Sequence, residues 1–127
     1  DSGLIVDALN GEPGIYSARY SGEKATDKEN NSKLLKKLEG VSKENRTARF
    51  VCVIALIDCE EPENIYTFRG TWNGEILTKA KGSNGFGYDP LFLDPEIGKA
   101  SAELLAEDKN KLSHRAKALV SLQRHFT

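Results

Sequence analysis

Three groups of residues in this chain have the types and spacing to do chemistry. The first is Gly85-Phe86-Gly87-Tyr88-Asp89-Pro90. Its two glycines let backbone approach a flat ligand, Phe86 and Tyr88 can stack on such a ligand, and Asp89 adds an acceptor for N–H or O–H groups. A tight turn plugged into the core by its aromatics accounts for the same residues. The second group is Lys109 with Ser113-His114-Arg115. Ser113 reads as the N-cap of a helix, where backbone N–H groups and the helix dipole favour anions and electron-rich oxygens. A donor cluster around a keto oxygen or a phosphate is one reading, and solvated first-turn residues are the other. The third is Asp1, a carboxylate beside Ser2-Gly3. Mg²⁺ in nucleotide sites is held by one or two carboxylates together with substrate phosphates.

Other phosphate-binding patterns fail. Gly82-Ser83-Asn84-Gly85-Phe86-Gly87 has the order G-x-x-G-x-G without a strand-to-helix switch around it, so the dinucleotide fingerprint does not fit. Gly98-Lys99 is followed by Ala100, and Leu93 stands where a Walker loop needs its first glycine. No C-x-x-C, H-E-x-x-H or Cys/His cluster offers zinc-ligand spacing.

These groups need a scaffold, and the pattern supplies one. Leu4–Leu9 reads as a short strand followed by turn formers at Asn10–Gly14. Ile15–Gly22 reads as irregular, with Ser17, Arg19 and Tyr20 open to either a surface or a site role. Thr26 and Glu29 form a capping-box pattern, and Leu34, Leu35 and Leu38 then recur at helical spacing until Gly40, which predicts a helix over 27–39. Ala48–Cys59 is apolar at nearly every position and rich in β-branched residues, the pattern of a central strand buried on both faces. Ile65–Gly70 alternates as an antiparallel partner would, and Trp72, Ile76 and Leu77 around Asn73-Gly74 suggest a bend and one more strand. Helices are expected over Ala100–Asp108 and Ser113–Phe126, the latter with Leu119, Leu122 and Phe126 on one face.

At 127 residues the chain fits one domain. Lys and Arg total 18 against 19 Asp and Glu, a net charge of −1, so no global field draws the protein onto a nucleic-acid polymer or an anionic membrane. The longest apolar run, Phe50–Ile57, falls far short of the roughly 20 residues of a membrane helix. No signal pattern opens the chain, and a soluble, cytoplasmic protein with reduced Cys52 and Cys59 is expected. The first residue is Asp rather than Met and leads straight into a strand pattern, as though the chain began elsewhere.

Taken in order, DSGLIVDALNGEPGIYSARYSG, ARFVC, GFGYDPLF, GKASAEL and EDKNKLSHR resemble the Ham1-like family of inosine/xanthosine triphosphate pyrophosphatases over almost the whole chain. The resemblance implies an α/β fold with a long, twisted mixed β-sheet, flanking helices in two lobes and a nucleotide cleft between them. It implies a homodimer that hydrolyses non-standard purine triphosphates to monophosphate and pyrophosphate with Mg²⁺. By motif, Asp1 corresponds to the metal-associated carboxylate and proposed base, and Ser2 to the neighbouring substrate-binding serine. Phe86, Gly87, Tyr88 and Asp89 correspond to the purine-binding loop, and Lys109, His114 and Arg115 to the base-reading lysine and His-Arg pair.

Two family features are absent from residues 1–127: a [ST]-x-x-N-x-x-K-like phosphate loop and a second metal-binding glutamate, both placed before the DSGL segment. The expectation is therefore a C-terminal portion of a longer enzyme, inactive or nearly so by itself. A nucleotide-binding module without catalysis is the competing reading. The related Maf-type pyrophosphatases fit less well, because GFGYDP and SHR point to Ham1.

Overall fold

A computed structural model describes the whole chain, Asp1–Thr127. Six strands form one sheet: β1 (Ser2–Val6), β2 (Pro13–Gly14), β3 (Thr47–Ile57), β4 (Ile65–Ile76), β5 (Phe92–Asp94) and β6 (Lys99–Ala100). Their order is β2-β1-β3-β4-β5-β6, and each of the five pairings is antiparallel, so within these residues the sheet is not mixed. Three helices complete the α/β architecture: α1 (Asp27–Lys37), α2 (Ala106–Leu112) and α3 (His114–His125).

β1 is shorter than its apolar run suggests. It stops at Val6, whose carbonyl accepts from Gly11 N–H, while Asp7–Leu9 turns as a 3-10 helix and Asn10 takes a left-handed φ of 55°. α1 begins where the sequence places it: Thr26 and Glu29 exchange both capping-box hydrogen bonds, and Leu34 and Leu38 are fully buried. β3 is central, but it is buried only over its first half. Ala48, Phe50, Val51 and Cys52 lie in the interior, whereas Ile57 is 56% exposed. The distal part of the β3–β4 ribbon extends past the core, so the apolar run marks strand character there rather than burial on both faces.

β4 corrects a second expectation. Instead of bending at Asn73-Gly74, it runs unbroken to Ile76, in register with β3 from Thr47↔Glu75 to Ile57↔Ile65. The helix expected over Ala100–Asp108 is broken into β6, a 3-10 turn at Ser101–Glu103 and, after the extended and buried Leu104, the start of α2. Glu103 folds back to accept the Ala100 N–H, which closes that turn. In α3 it is Ala118 that is buried. Leu119 and Phe126, expected on an inward stripe, are exposed, and Leu122 is half-buried.

The core gathers Leu4, Leu34, Phe50, Trp72, Leu91 and Phe92 between the sheet and α1. β1, β3 and β4 place Ser2, Cys52 and Gly70 in one cross-strand row, with Leu4, Phe50 and Trp72 in the row two residues further along. Partners in such rows share a sheet face. A Cβ on Gly70 would collide with the His114 carbonyl oxygen and the Ala118 nitrogen. Glycine there lets the first turn of α3 lie directly on the sheet, next to Ser2 and above Phe50.

Candidate functional site

Ser113 ends α2 and caps α3, its hydroxyl accepting the Ala116 N–H at 3.1 Å. The next residue, His114, lies with its ring 4.8 Å from that of Phe50, the two planes 16° apart. Its Nε2 is 2.7 Å from the Ser2 hydroxyl. Nδ1 is buried and has no partner within the protein. Burial first, then the neighbouring Arg115 and Lys109 charges, lower the His114 pKa from 6.5 to about 4, against a smaller upward pull from Asp89. The imidazole is neutral at neutral pH. Either the serine O–H donates to Nε2 or the Nε2–H donates to the serine, and both arrangements leave Nδ1 free to meet a ligand.

Across the cleft, the loop at Gly85–Pro90 is held by its own aspartate. Asp89 is 4% exposed. Its Oδ2 accepts from Phe86 N–H at 3.0 Å and from Lys109 Nζ at 2.5 Å, and its Oδ1 accepts from the Ser101 hydroxyl at 2.9 Å. Gly85 has φ +76°, and a Cβ on it would strike the Asp89 carboxylate. Lys109, on α2, stands 4.6 Å above the Phe86 ring. Phe86 itself is 65% exposed and open to a stacking partner.

Tyr88 differs from the stacking role its sequence suggests. It is 5% exposed and turned into the core, where its hydroxyl donates to the Ser17 carbonyl at 2.6 Å. Asp89 likewise has both oxygens engaged by protein donors, which makes it the loop's internal anchor. Gly87, between Phe86 and Tyr88, adopts φ +60°.

Ser2, Phe86, Gly87, Tyr88, Asp89, Lys109, His114 and Arg115 all line one cleft of about 670 Å³, a size suited to a small-molecule ligand. Asp1 is not among the lining residues. It is exposed, with one carboxylate oxygen accepting the Ser2 N–H at 3.1 Å and its carbonyl accepting Val53 N–H at 2.7 Å. No group of three or more His, Cys, Asp or Glu side chains gathers that could hold a metal ion. Within this chain Asp1 could supply Mg²⁺ with one carboxylate ligand, beside oxygens of phosphates and water.

The structure also adds residues that sequence reading passed over. Phe50 reads as plain core, yet it is the platform under His114. Ser17, left undecided, is buried, accepting from Leu4 N–H and donating to the Gly14 carbonyl beside the cleft. Asp27 and Asn31, which bond to Gly87, belong to no motif, and Ser101 lies within the GKASAEL segment without any sign there that it holds Asp89, since each role depends on a partner in another element.

The Ham1 family model matches residues 1–125. The dITP/XTP pyrophosphatase of Vibrio parahaemolyticus is 58% identical over 122 residues, covering 96% of this chain and 61% of that protein. That of Geobacter sulfurreducens is 56% identical over 126 residues, covering 99% and 62% respectively. Among solved structures, the Ham1 protein of Staphylococcus aureus matches with a TM-score of 0.94 at 48% identity, covering 99% of this chain and 64% of that one. A HAM1 protein from Coxiella burnetii gives 0.94 at 44% identity over the same shares. The chain thus spans about three fifths of the length of the curated relatives it matches.

Proposed function

The chain belongs to the Ham1 family, and from that premise we propose that it forms the base-reading part of an enzyme hydrolysing non-standard purine nucleoside triphosphates, of the deoxyinosine and xanthosine type, to monophosphate and pyrophosphate. The observation that carries this reading is the convergence of Lys109, His114 and Arg115 with the exposed Phe86 on one cleft. Hypoxanthine and xanthine present O6 as an acceptor that these donors satisfy. Adenine presents an amino group at the same place and leaves them unpaired, a mismatch that a polar site can turn into roughly 10⁴-fold rejection. Phe86 offers its ring to the base, and the Lys109 ammonium remains within reach of both.

Asp1 and Ser2, beside the cleft at the start of β1, are the residues nearest to catalysis in this reading. Asp1, together with the substrate phosphates, would hold Mg²⁺, which would supply charge neutralisation and lower the pKa of a bound water. Where Asp1 does not hold the metal, its carboxylate takes the proton of the water that attacks the α-phosphorus. The new P–O bond forms as the bond to the bridging oxygen breaks, and pyrophosphate leaves.

The homodimer belongs to the same proposal. Ile57, Ile65, Leu119 and Phe126 are large apolar side chains left exposed on the distal ribbon and α3, a surface that a second copy can cover. A reducing compartment such as the cytoplasm suits the free thiols of Cys52 and Cys59. No helix is long and apolar enough to cross a membrane.

Calorimetry and pyrophosphate release with deoxyinosine triphosphate and deoxyadenosine triphosphate test the reading. Binding that favours the inosine nucleotide at least tenfold is the expected result, and equal binding of the two overturns it. Binding without hydrolysis, in a longer protein that contains this chain, favours a nucleotide-binding module instead.

A further inference from the structure

Gly87 is the residue at which the cleft loop changes direction, since Phe86 before it faces the cleft and Tyr88 after it is buried. Its left-handed φ of +60° favours glycine, and no atom lies within 4 Å of where its Cβ would be. Glycine at this position is thus not making room for a close neighbour. Both polar groups of Gly87 are held instead by α1, far away in sequence. The Gly87 N–H donates to Asp27 Oδ2 at 2.9 Å, and the Asn31 side-chain amide donates to the Gly87 carbonyl at 3.0 Å.

Asp27 and Asn31 stand four apart on one face of α1. α1 is itself fixed. Leu34 and Leu38 are fully buried, the Asn30 amide donates to the Ala18 carbonyl, the Asn30 carbonyl oxygen accepts from Ser21 N–H, and Lys33 donates to the Tyr20 carbonyl. The helix thus ties the Ala18–Ser21 segment to the cleft loop, and Asp27 also lines the cleft.

We propose that Asp27 and Asn31 are positioning residues for base recognition: by gripping both ends of Gly87 they aim the Phe86 ring at the purine while Tyr88 stays in the core. They act through Phe86 rather than by touching the base. The inference rests on the purine-triphosphate reading above and deepens it.

The test uses this chain with Asp27→Ala, Asn31→Ala, Asp27→Asn and Phe86→Ala, each checked for a parent-like melting temperature. Loss of one hydrogen bond corresponds to roughly three- to tenfold weaker affinity, so each alanine variant at 27 or 31 is expected to bind deoxyinosine triphosphate that much more weakly. Asp27→Asn keeps an acceptor in place and should recover affinity to within about twofold of the parent. In a Phe86→Ala background, Asp27→Ala should add less than about twofold, because the two act in series. Parent-like affinity in both alanine variants, or full additivity with Phe86→Ala, overturns the proposal. Amide exchange at Gly87 without nucleotide separates this outcome from failure of the functional reading. If the parent binds no purine triphosphate, severalfold faster exchange in Asp27→Ala still supports the grip, and unchanged exchange refutes it.

Discussion

His114 gives a prediction whose sign and size both follow from where the ring sits. In the fold its pKa falls from 6.5 to about 4 because it is half-buried against Phe50 and faces the cations of Arg115 and Lys109, with Asp89 the opposing charge. The unfolded chain protonates this imidazole near 6.5, and the folded chain resists until about pH 4. Stability from the neutral ring is complete above pH 6.5, is lost as pH falls from there toward 4, and falls no further below that. Unscreened, the whole separation corresponds to roughly 3.4 kcal/mol. The ring keeps an exposed edge and the charges around it are partly solvated, so about half of this, ~1–2 kcal/mol, is the realistic loss. About 1 kcal/mol of it should be gone at pH 5.

Urea unfolding of the parent and of His114→Gln at pH 7.5 and pH 5 measures the effect, the variant subtracting the carboxylates that titrate in the same range. Gln retains a partner for Ser2 without the titration. The chain contains only two histidines, so NMR titration of the ring carbons assigns His114 directly. A measured His114 pKa at or above 6.5, or identical pH dependence in parent and variant, refutes the reasoning.

Three further outcomes are expected. Lys109→Met leaves the buried Asp89 carboxylate without its cation but with the Ser101 and Phe86 donors, so urea unfolding should show a loss of about 1–3 kcal/mol, below the range for a fully stranded buried charge; a loss under about 0.5 kcal/mol contradicts the anchoring role. Gly70→Ala forces α3 away from the sheet, because the new Cβ meets backbone of His114 and Ala118, and should cost about 1–3 kcal/mol with weaker deoxyinosine triphosphate binding; parent-like binding separates His114 placement from recognition. Arg115→Ala should lower the preference for inosine over adenine nucleotide by about tenfold or more, the equivalent of roughly 1.5–3 kcal/mol for a charge-assisted hydrogen bond, and an unchanged ratio in competition binding removes Arg115 from base reading.

The elements that were legible in the sequence are those whose cause is local. The capping box of Thr26 and Glu29 and the cap at Ser113 are formed by neighbours in the chain, and the helices start as the pattern says. From its residues β4 reads as ending at Gly70 and bending at Asn73-Gly74, yet it runs on to Ile76. These glycines serve a different need: a Cβ on Gly70 would meet α3, and one on Gly74 would meet Leu93 and Phe92, so both admit close neighbours while the strand stays straight. Sequence alone carries the glycine and not the neighbour. The same limit explains Ile57, Leu119 and Phe126, whose apolar character says nothing about whether the core reaches them.

In the site, residue types in their joint order revealed the groups that face the cleft, and failed for those that hold them there. Phe86, Lys109, His114 and Arg115 line the cleft, although by type alone a core-plugged turn and solvated first-turn residues account for them as well, and only their joint order along the chain sets them apart. Their placement depends on Asp27 and Asn31 at Gly87, on Ser101 at Asp89 and on Phe50 beneath His114. Each of these supports is an ordinary residue in its own element, and each spans to a different one. Tyr88 and Asp89 show the consequence. Both sit inside the most recognisable motif, yet one is pinned to Ser17 and the other has both oxygens occupied by protein donors. A motif of six residues therefore contains one side chain open to the cleft and two that fix its position. Substitutions at Tyr88 or Asp89 should disturb recognition through the geometry of Phe86 and Lys109, even where no contact with the nucleotide is lost.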